Sequence, residues 1–242
     1  MKYYRSNKLP PLKCKHSFQV LDVTSVNEAK AKKADFIDLT YADYLEVYSA
    51  SELSSLDAYH LSAADCLFLL DGQYHFYQLS QKAFLNYLVQ LKMTLQTQDE
   101  VVLVGDELTI SQFLPALTKI GYSRFTFIVE NSKKIKIFVE KIKRTFLGLS
   151  MHVLNFNQLS AVDSVASFLL IDVDHSKNIE LIESLTYFNF LKTGSVFFDV
   201  RSALVSDLAQ EALRAQMIVI DSAEYEKTRL DLADHILTKN IK

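Results

Sequence analysis

The residues of this chain whose types and spacing suit chemistry gather after its apolar runs. Asp172, Asp174 and His175 stand within four positions, directly behind the run Phe168-Leu169-Leu170-Ile171. Two carboxylates beside an imidazole can grip a metal ion or exchange protons, because histidine titrates near neutrality. Polar residues at a strand end can equally be solvated and do nothing more. Asp199 and Arg201 follow the next run and read as an ion pair or as ligand contacts. Glu130 and Asn131 close the run Phe125 to Val129. In parallel-stranded nucleotide folds an acid at that point holds ribose hydroxyls. Its charge favours NAD over NADP, and Lys133 and Lys134 oppose that preference. Gly105-Asp106-Glu107-Leu108-Thr109 follows the run Val101 to Val104. A turn there binds phosphate when bare peptide N–H groups and a helix N-terminus face the ligand. Asp106 and Glu107 instead place two carboxylates beside the one glycine.

Glycine is scarce throughout, with five in 242 residues. The formal net charge of −3 argues against a nucleic-acid or anionic-membrane partner, either of which selects a basic face. The lysine-rich stretch 133–144 then reads as a solvated helix face. The six histidines are scattered with no i+3 or i+4 pair, and Cys14 and Cys66 lack ligand spacing, so no metal site is expected. No apolar run approaches the roughly 20 residues that span a bilayer. The basic start of the chain leads into Leu9-Pro10-Pro11-Leu12 rather than an apolar signal core. A cytoplasmic protein is the expectation.

The elements that must position these residues are legible from periodicity. Residues 1–16 read as irregular, since Pro10-Pro11 forbids helix. Short strands follow at 18–23 and 35–40, with helices at 26–33 and 51–60. Two apolar runs, 66–70 and 74–77, flank Asp71-Gly72 and predict a hairpin. A helix at 81–93 precedes a polar stretch, 94–100, which marks a boundary. Beyond it, apolar strands at 101–104, 125–129, 151–154, 167–171, 195–200 and 217–220 alternate with amphipathic helices. Continuous apolar strands alternating with helices predict a parallel sheet covered on both faces. Pro115 predicts a helix starting only at Ser111-Gln112, after a loop from Gly105 to Ile110. The fold class is therefore α/β, with a Rossmann-like domain over 96–242 preceded by a smaller, truncated α/β domain over 1–95.

The layout resembles the shikimate dehydrogenase family over roughly residues 36–237. The stretch from Ser62 to Ser80 is similar, without a gap, to that family's G-A-V-N-T-V, hairpin and N-T-D segment, down to the Asp-Gly turn. Leu39-Thr40-Tyr41-Ala42-Asp43-Tyr44 falls where the family has V-T-x-P-x-K, and Ile128-Val129-Glu130-Asn131-Ser132 resembles its N-R-T strand end. The resemblance places the family's catalytic lysine and aspartate on Tyr44 and Ser80. It places the substrate-binding positions on Thr40, Asp65 and Arg229, where the family has asparagine and glutamine at the last two. The cofactor positions become Gly105, Asp106, Glu107, Glu130 and Asn131, with the family's G-x-G-G turn missing. Its early S-x-S motif has no match in residues 1–35.

The departures define the expectation. Serine cannot carry the aspartate's charge, and tyrosine, with an ordinary pKa of about 10, is a different acid from a Lys–Asp pair. Asp65 should repel a carboxylate substrate. The chain is expected to be a catalytically inactive relative that keeps the fold, binds no dinucleotide and holds an unknown small molecule or protein partner, with a homo-oligomer open. The alternative is an active oxidoreductase using NAD or NADP on a shikimate-like hydroxy acid, with Tyr44 as proton donor.

Overall fold

Tyr3 and Tyr4 lie in a strand, β1 (Lys2–Arg5), where the sequence suggests irregular chain. Their side chains are 0% and 3% exposed. A four-residue run is too short to show a period, and its ladder partners come from elsewhere in the chain. The computed structural model describes residues 1–5, 18–48, 64–162, 165–202 and 206–240. Among the residues outside that set are Cys14 and His60 and the helix expected over 51–60.

The chain forms two compact units. One comprises Met1–Leu91, Ser111–Phe113 and Glu224–Lys242, and the other Lys92–Ile110 and Leu114–Ala223. The closing helix thus belongs with the N-terminal unit rather than with the sheet it follows in sequence, and a single linear boundary near residue 95 does not describe the division.

In the first unit, β1 lies between β2 (Gln19–Val20) and β3 (Phe36–Asp38), parallel to both. The strands β4 (Cys66–Leu70) and β5 (Gln73–Tyr77) add antiparallel, giving the order β2-β1-β3-β4-β5. The expected hairpin is present. Asp71 and Gly72 take φ of 51° and 79°, the left-handed pair that a two-residue turn of matching twist demands. Helix α1 (Val26–Ala31) starts at Ser25, whose hydroxyl accepts the Glu28 N–H. Helix α2 (Tyr41–Tyr48) was not evident from periodicity, and α3 (Leu79–Leu91) follows β5. The core stacks Tyr3 on Phe36 and Phe36 on Phe68, with ring centroids 5.1 and 5.0 Å apart. Leu230, Ala233 and Leu237 of the closing helix (Ser222–Asn240) complete this core.

The second unit runs β6 (Glu100–Val104), α4 (Glu107–Lys119), β7 (Arg124–Val129), α5 (Ser132–Thr145), β8 (Ser150–Asn155), a 3-10 turn (Phe156–Ala161), β9 (Ala166–Ile171), a second 3-10 turn (His175–Lys177), α6 (Ile179–Leu185), β10 (Leu191–Asp199), α7 (Asp207–Arg214) and β11 (Ile218–Val219). All paired strands are parallel, in the order β11-β10-β9-β6-β7-β8. That is the order of a doubly wound dinucleotide-type sheet. The central strands β6 and β9 are buried along their whole length, as strands covered on both faces must be.

Helix α4 corrects the expected loop over 105–110: it begins at Glu107 and runs through Pro115. Proline inside a helix costs about 3 kcal/mol. Two local facts oppose that cost. Asp106 and Thr109 form a reciprocal capping box at the first turn. Ile110, Leu114 and Leu117 are each at most 1% exposed, so the helix face is fully used.

Candidate functional site

Asp38 is a carboxylate at the end of a buried strand, 0% exposed, on the same face as Phe36. A buried charge needs partners, and Asp38 has three. It accepts hydrogen bonds from the Tyr3 hydroxyl, from Arg5 Nη1 at 3.0 Å and from Arg229 Nη2. Burial alone pushes the Asp38 carboxyl up, but the Arg229 and Arg5 guanidiniums outweigh it and hold Asp38 below the usual carboxylate range. The same cluster pushes the Tyr3 phenol up, through burial first and then the adjacent carboxylate.

Arg229 reaches this point from the closing helix and is 7% exposed. Its Nε donates to Ser80 Oγ at 3.0 Å, its Nη2 stands 3.6 Å from Asp65 Oδ2, and its guanidinium carbon lies 5.8 Å from the centre of the Phe36 ring. Burial disfavours the cation, and Asp38 and then Asp65 more than reverse that, so Arg229 stays charged. Asp65 is fixed in turn. Its Oδ1 accepts the Leu79 N–H and its Oδ2 the Ser80 N–H, each at 2.7 Å, which caps the first turn of α3. Arg5 closes the network through Glu226, 3.0 Å away.

The structure therefore brings Asp65, Ser80 and Arg229 together, with Asp38 and the first turn of α3 as their further partners. Tyr44 is 1% exposed, with its ring edge-on to Phe76 at 5.5 Å. Thr40 caps α2. Its hydroxyl donates to Asp43 Oδ2 at 2.6 Å, and the Asp43 N–H returns a bond to that hydroxyl at 3.2 Å. The Thr40-x-x-Asp43 spacing is a capping pattern that the periodicity of the chain does not reveal. Tyr3, Arg5, Asp38 and Glu226 escaped the sequence reading. Of these only Asp38 carried a flag, being an acid inside an apolar strand.

In the second unit the turn after β6 holds Gly105. A Cβ built on Gly105 would stand 2.4 Å from Thr109 Oγ1, so the glycine serves to admit Thr109. Asp106 Oδ1 accepts the Thr109 N–H at 3.0 Å. The Thr109 hydroxyl lies 3.1 Å from Asp172 Oδ2 and donates to it. Burial, then Asp172, raises the Asp106 carboxyl above its ordinary value. Glu107 is 6% exposed on the same turn. Glu130 and Asn131 are both exposed after β7. The next helix is capped from β8, where Asn155 Oδ1 accepts the Ser132 N–H at 2.9 Å.

The acidic run after β9 is divided differently from the expected Asp199–Arg201 pair. Arg201 Nε donates to Asp172 Oδ1 at 2.6 Å. Asp199 Oδ1 instead accepts the backbone N–H groups of Arg201 and Ser202, at 3.0 and 3.1 Å, and its Oδ2 lies 2.9 Å from His175 Nε2. Among the described residues no group of three or more His, Cys, Asp or Glu is arranged to hold a metal ion, and no helix is long and apolar enough to cross a membrane. Cys66 is buried, and burial followed by Asp65 pushes its thiol well up.

Neither a protein-family model nor a curated protein matches this chain in sequence. Solved structures do match in shape. Shikimate 5-dehydrogenase from Listeria monocytogenes, in complex with shikimate and NAD, superposes with a TM-score of 0.72 at 10% identity, covering 99% of this chain and 91% of that one. Shikimate dehydrogenase from Aquifex aeolicus gives 0.71 at 13% identity, covering 98% and 92%. Quinate dehydrogenase from Corynebacterium glutamicum, in complex with NAD, gives 0.71 at 10% identity, covering 98% and 93%. Over nearly its whole length, this chain has the fold of the shikimate dehydrogenases.

Proposed function

We propose that this chain is a shikimate-dehydrogenase-fold protein without dehydrogenase activity, which keeps the architecture and binds a different small molecule or a protein partner. The observation that carries the reading is the pairing of Arg229 with Asp38, Asp65 and Ser80. Where the resembling family uses two neutral amides to hold a substrate, this chain has an arginine and an aspartate that hold each other. Where the family has a catalytic aspartate, this chain has a serine that accepts from the same arginine. A substrate would have to break a buried ion pair to reach these groups, and stripping one partner from such a pair costs about 3–5 kcal/mol.

The dinucleotide turn supports the same reading. A pyrophosphate needs open peptide N–H groups and a positive helix end. Here the Asp106 carboxylate takes one of those N–H groups, Thr109 fills the space over Gly105, and Glu107 adds further negative charge. These residues do not fit the group.

The test is a fluorescence titration of the full chain with NADH and with NADPH, alongside an assay for shikimate oxidation. The expected result is no saturable binding at millimolar concentration and no turnover. Saturable micromolar binding with turnover would establish the active oxidoreductase instead.

A further inference from the structure

We propose that His175 and Asp199 form an acid–base dyad, a proton-transfer site for a small uncharged carbonyl compound, at the carboxyl edge of the second unit's sheet. This inference does not depend on the absence of a dinucleotide, because the two residues lie outside the Gly105 turn. It would survive the failure of that reading.

The geometry is that of an oriented base. Asp199 ends β10 and its side chain is 2% exposed. Two backbone N–H groups hold its Oδ1, so the carboxylate cannot swing, and its Oδ2 is presented to His175 Nε2 at 2.9 Å. That contact is close but too oblique for a directed hydrogen bond, which leaves both atoms without one. Such pairs commonly tighten only when a substrate is bound. The imidazole is presented by a tight turn after β9, fixed where Asp174 Oδ1 accepts the Ser176 N–H at 3.1 Å. The His175 side chain is 30% exposed, in contrast to its buried partner. A base needs that asymmetry, because one ring nitrogen must face the carboxylate and the other the ligand. In open parallel sheets, ligands bind outside the carboxyl ends of the strands, which is where β9 and β10 deliver this pair.

The surroundings select the ligand. Asp172 and Asp174 lie on the same loop, and Asp106 is close enough to Asp172 for its charge to be felt. This negative rim disfavours phosphorylated or dicarboxylate compounds. Two cations stand beside this rim: Arg201, held by Asp172 through Nε, and Lys177, on the same turn as His175 and 3.3 Å from Asp174. The step needs no co-reactant. Nδ1 of His175 takes a proton from the carbon beside the carbonyl. The C–H electron pair becomes the enolate, its oxygen charge faced by Arg201, and the imidazolium is stabilised by Asp199. Return of the proton to carbon completes an exchange or isomerisation. His175 is the catalytic residue and Asp199 its positioning residue.

Three measurements on the full chain test this, with dihydroxyacetone and diethyl pyrocarbonate as probes. Nitrogen-15 NMR should find neutral His175 as the Nε2–H tautomer. At alkaline pH, Asp199→Asn, which keeps the Oδ1 acceptor, should slow carbethoxylation of His175 several-fold without unfolding the chain. In heavy water the unmodified protein should incorporate deuterium into dihydroxyacetone about a hundredfold faster than His175→Gln, the lower end of what a positioned base supplies. An Nδ1–H tautomer, an unchanged carbethoxylation rate in Asp199→Asn, or equal deuterium incorporation by the two proteins would each overturn the dyad.

Discussion

Arg229 and Asp38, 191 positions apart in the chain, form a buried ion pair in which Nη2 of the guanidinium donates to Oδ1 of the carboxylate. The pair joins the closing helix to β3, and it brings Ser80 and Asp65 into one network. The closing helix thus meets the first unit both through this charge and through Leu230, Ala233 and Leu237, which pack into its core.

Removing the cation should therefore be costly. Arg229→Gln leaves Asp38 and Asp65 buried with weakened compensation, and a loss of about 3–5 kcal/mol is expected. Urea or thermal unfolding measures it. The double variant Arg229→Gln with Asp38→Asn should lose less than the sum of the two single changes, because each single change strands the other charge. Strict additivity would show that the pair is not coupled.

Acid should weaken the same network. The folded pKa of Asp38 lies below its unfolded value, so between the two the unfolded chain binds more protons and stability rises with pH. The contribution is fully present above the ordinary aspartate value of about 3.9 and is lost as pH falls through the folded value. Unfolding free energy followed from neutral pH downward should show this slope, and Asp38→Asn should flatten it.

Asp106 should behave with the opposite sign. Burial and Asp172 raise its pKa, so the folded chain binds more protons than the unfolded one just above the ordinary carboxylate range. Stability should fall as pH rises through that window. Asp106→Asn keeps a helix-capping oxygen and removes the charge, so it should be neutral or stabilising at neutral pH. Asp106→Ala loses the cap and should cost about 1 kcal/mol. The two variants compared by thermal unfolding separate capping from charge.

Gly105 should not accept a side chain. Gly105→Ala places Cβ 2.4 Å from Thr109 Oγ1 and 2.7 Å from Thr109 Cβ, so shortening Thr109 to serine cannot relieve it. A loss of about 1–3 kcal/mol is expected from such overpacking. If Gly105→Ala unfolds at the same denaturant concentration as the unmodified chain, the close approach is not rigid.

Restoring the residues of the resembling family should not restore its chemistry. Tyr44→Lys with Ser80→Asp returns the lysine and aspartate, but Tyr44 is buried against Phe76 and Ser80 meets Arg229. The double variant should oxidise no shikimate and should be less stable. Detectable oxidation would mean that substrate and cofactor contacts persist.

The sequence carried much of this architecture because strands and helices are written in local periods. The runs at β6, β7, β9 and β10 are continuous and apolar, and the helices between them repeat near 3.6. The Asp71-Gly72 turn was legible because so few residues adopt two successive left-handed conformations. The strand β1 was not, since its four residues are held by β2 and β3 rather than by any pattern of their own. The helix across Pro115 was not, because a local penalty was outweighed by the burial of Ile110, Leu114 and Leu117, which only the folded chain supplies.

The candidate sites divide in the same way. Sequence alone determined that Asp106 and Glu107 follow Gly105 after an apolar run, and that tyrosine and serine stand at positions 44 and 80, which the family resemblance aligns with a lysine and an aspartate, because these are statements of residue type. Only the tertiary structure decided which charge meets which: Arg229 with Asp38, Arg201 with Asp172, His175 with Asp199. Ion pairing falls off over a few ångströms and takes no account of separation along the chain, so the partners had to be folded together before they could be read.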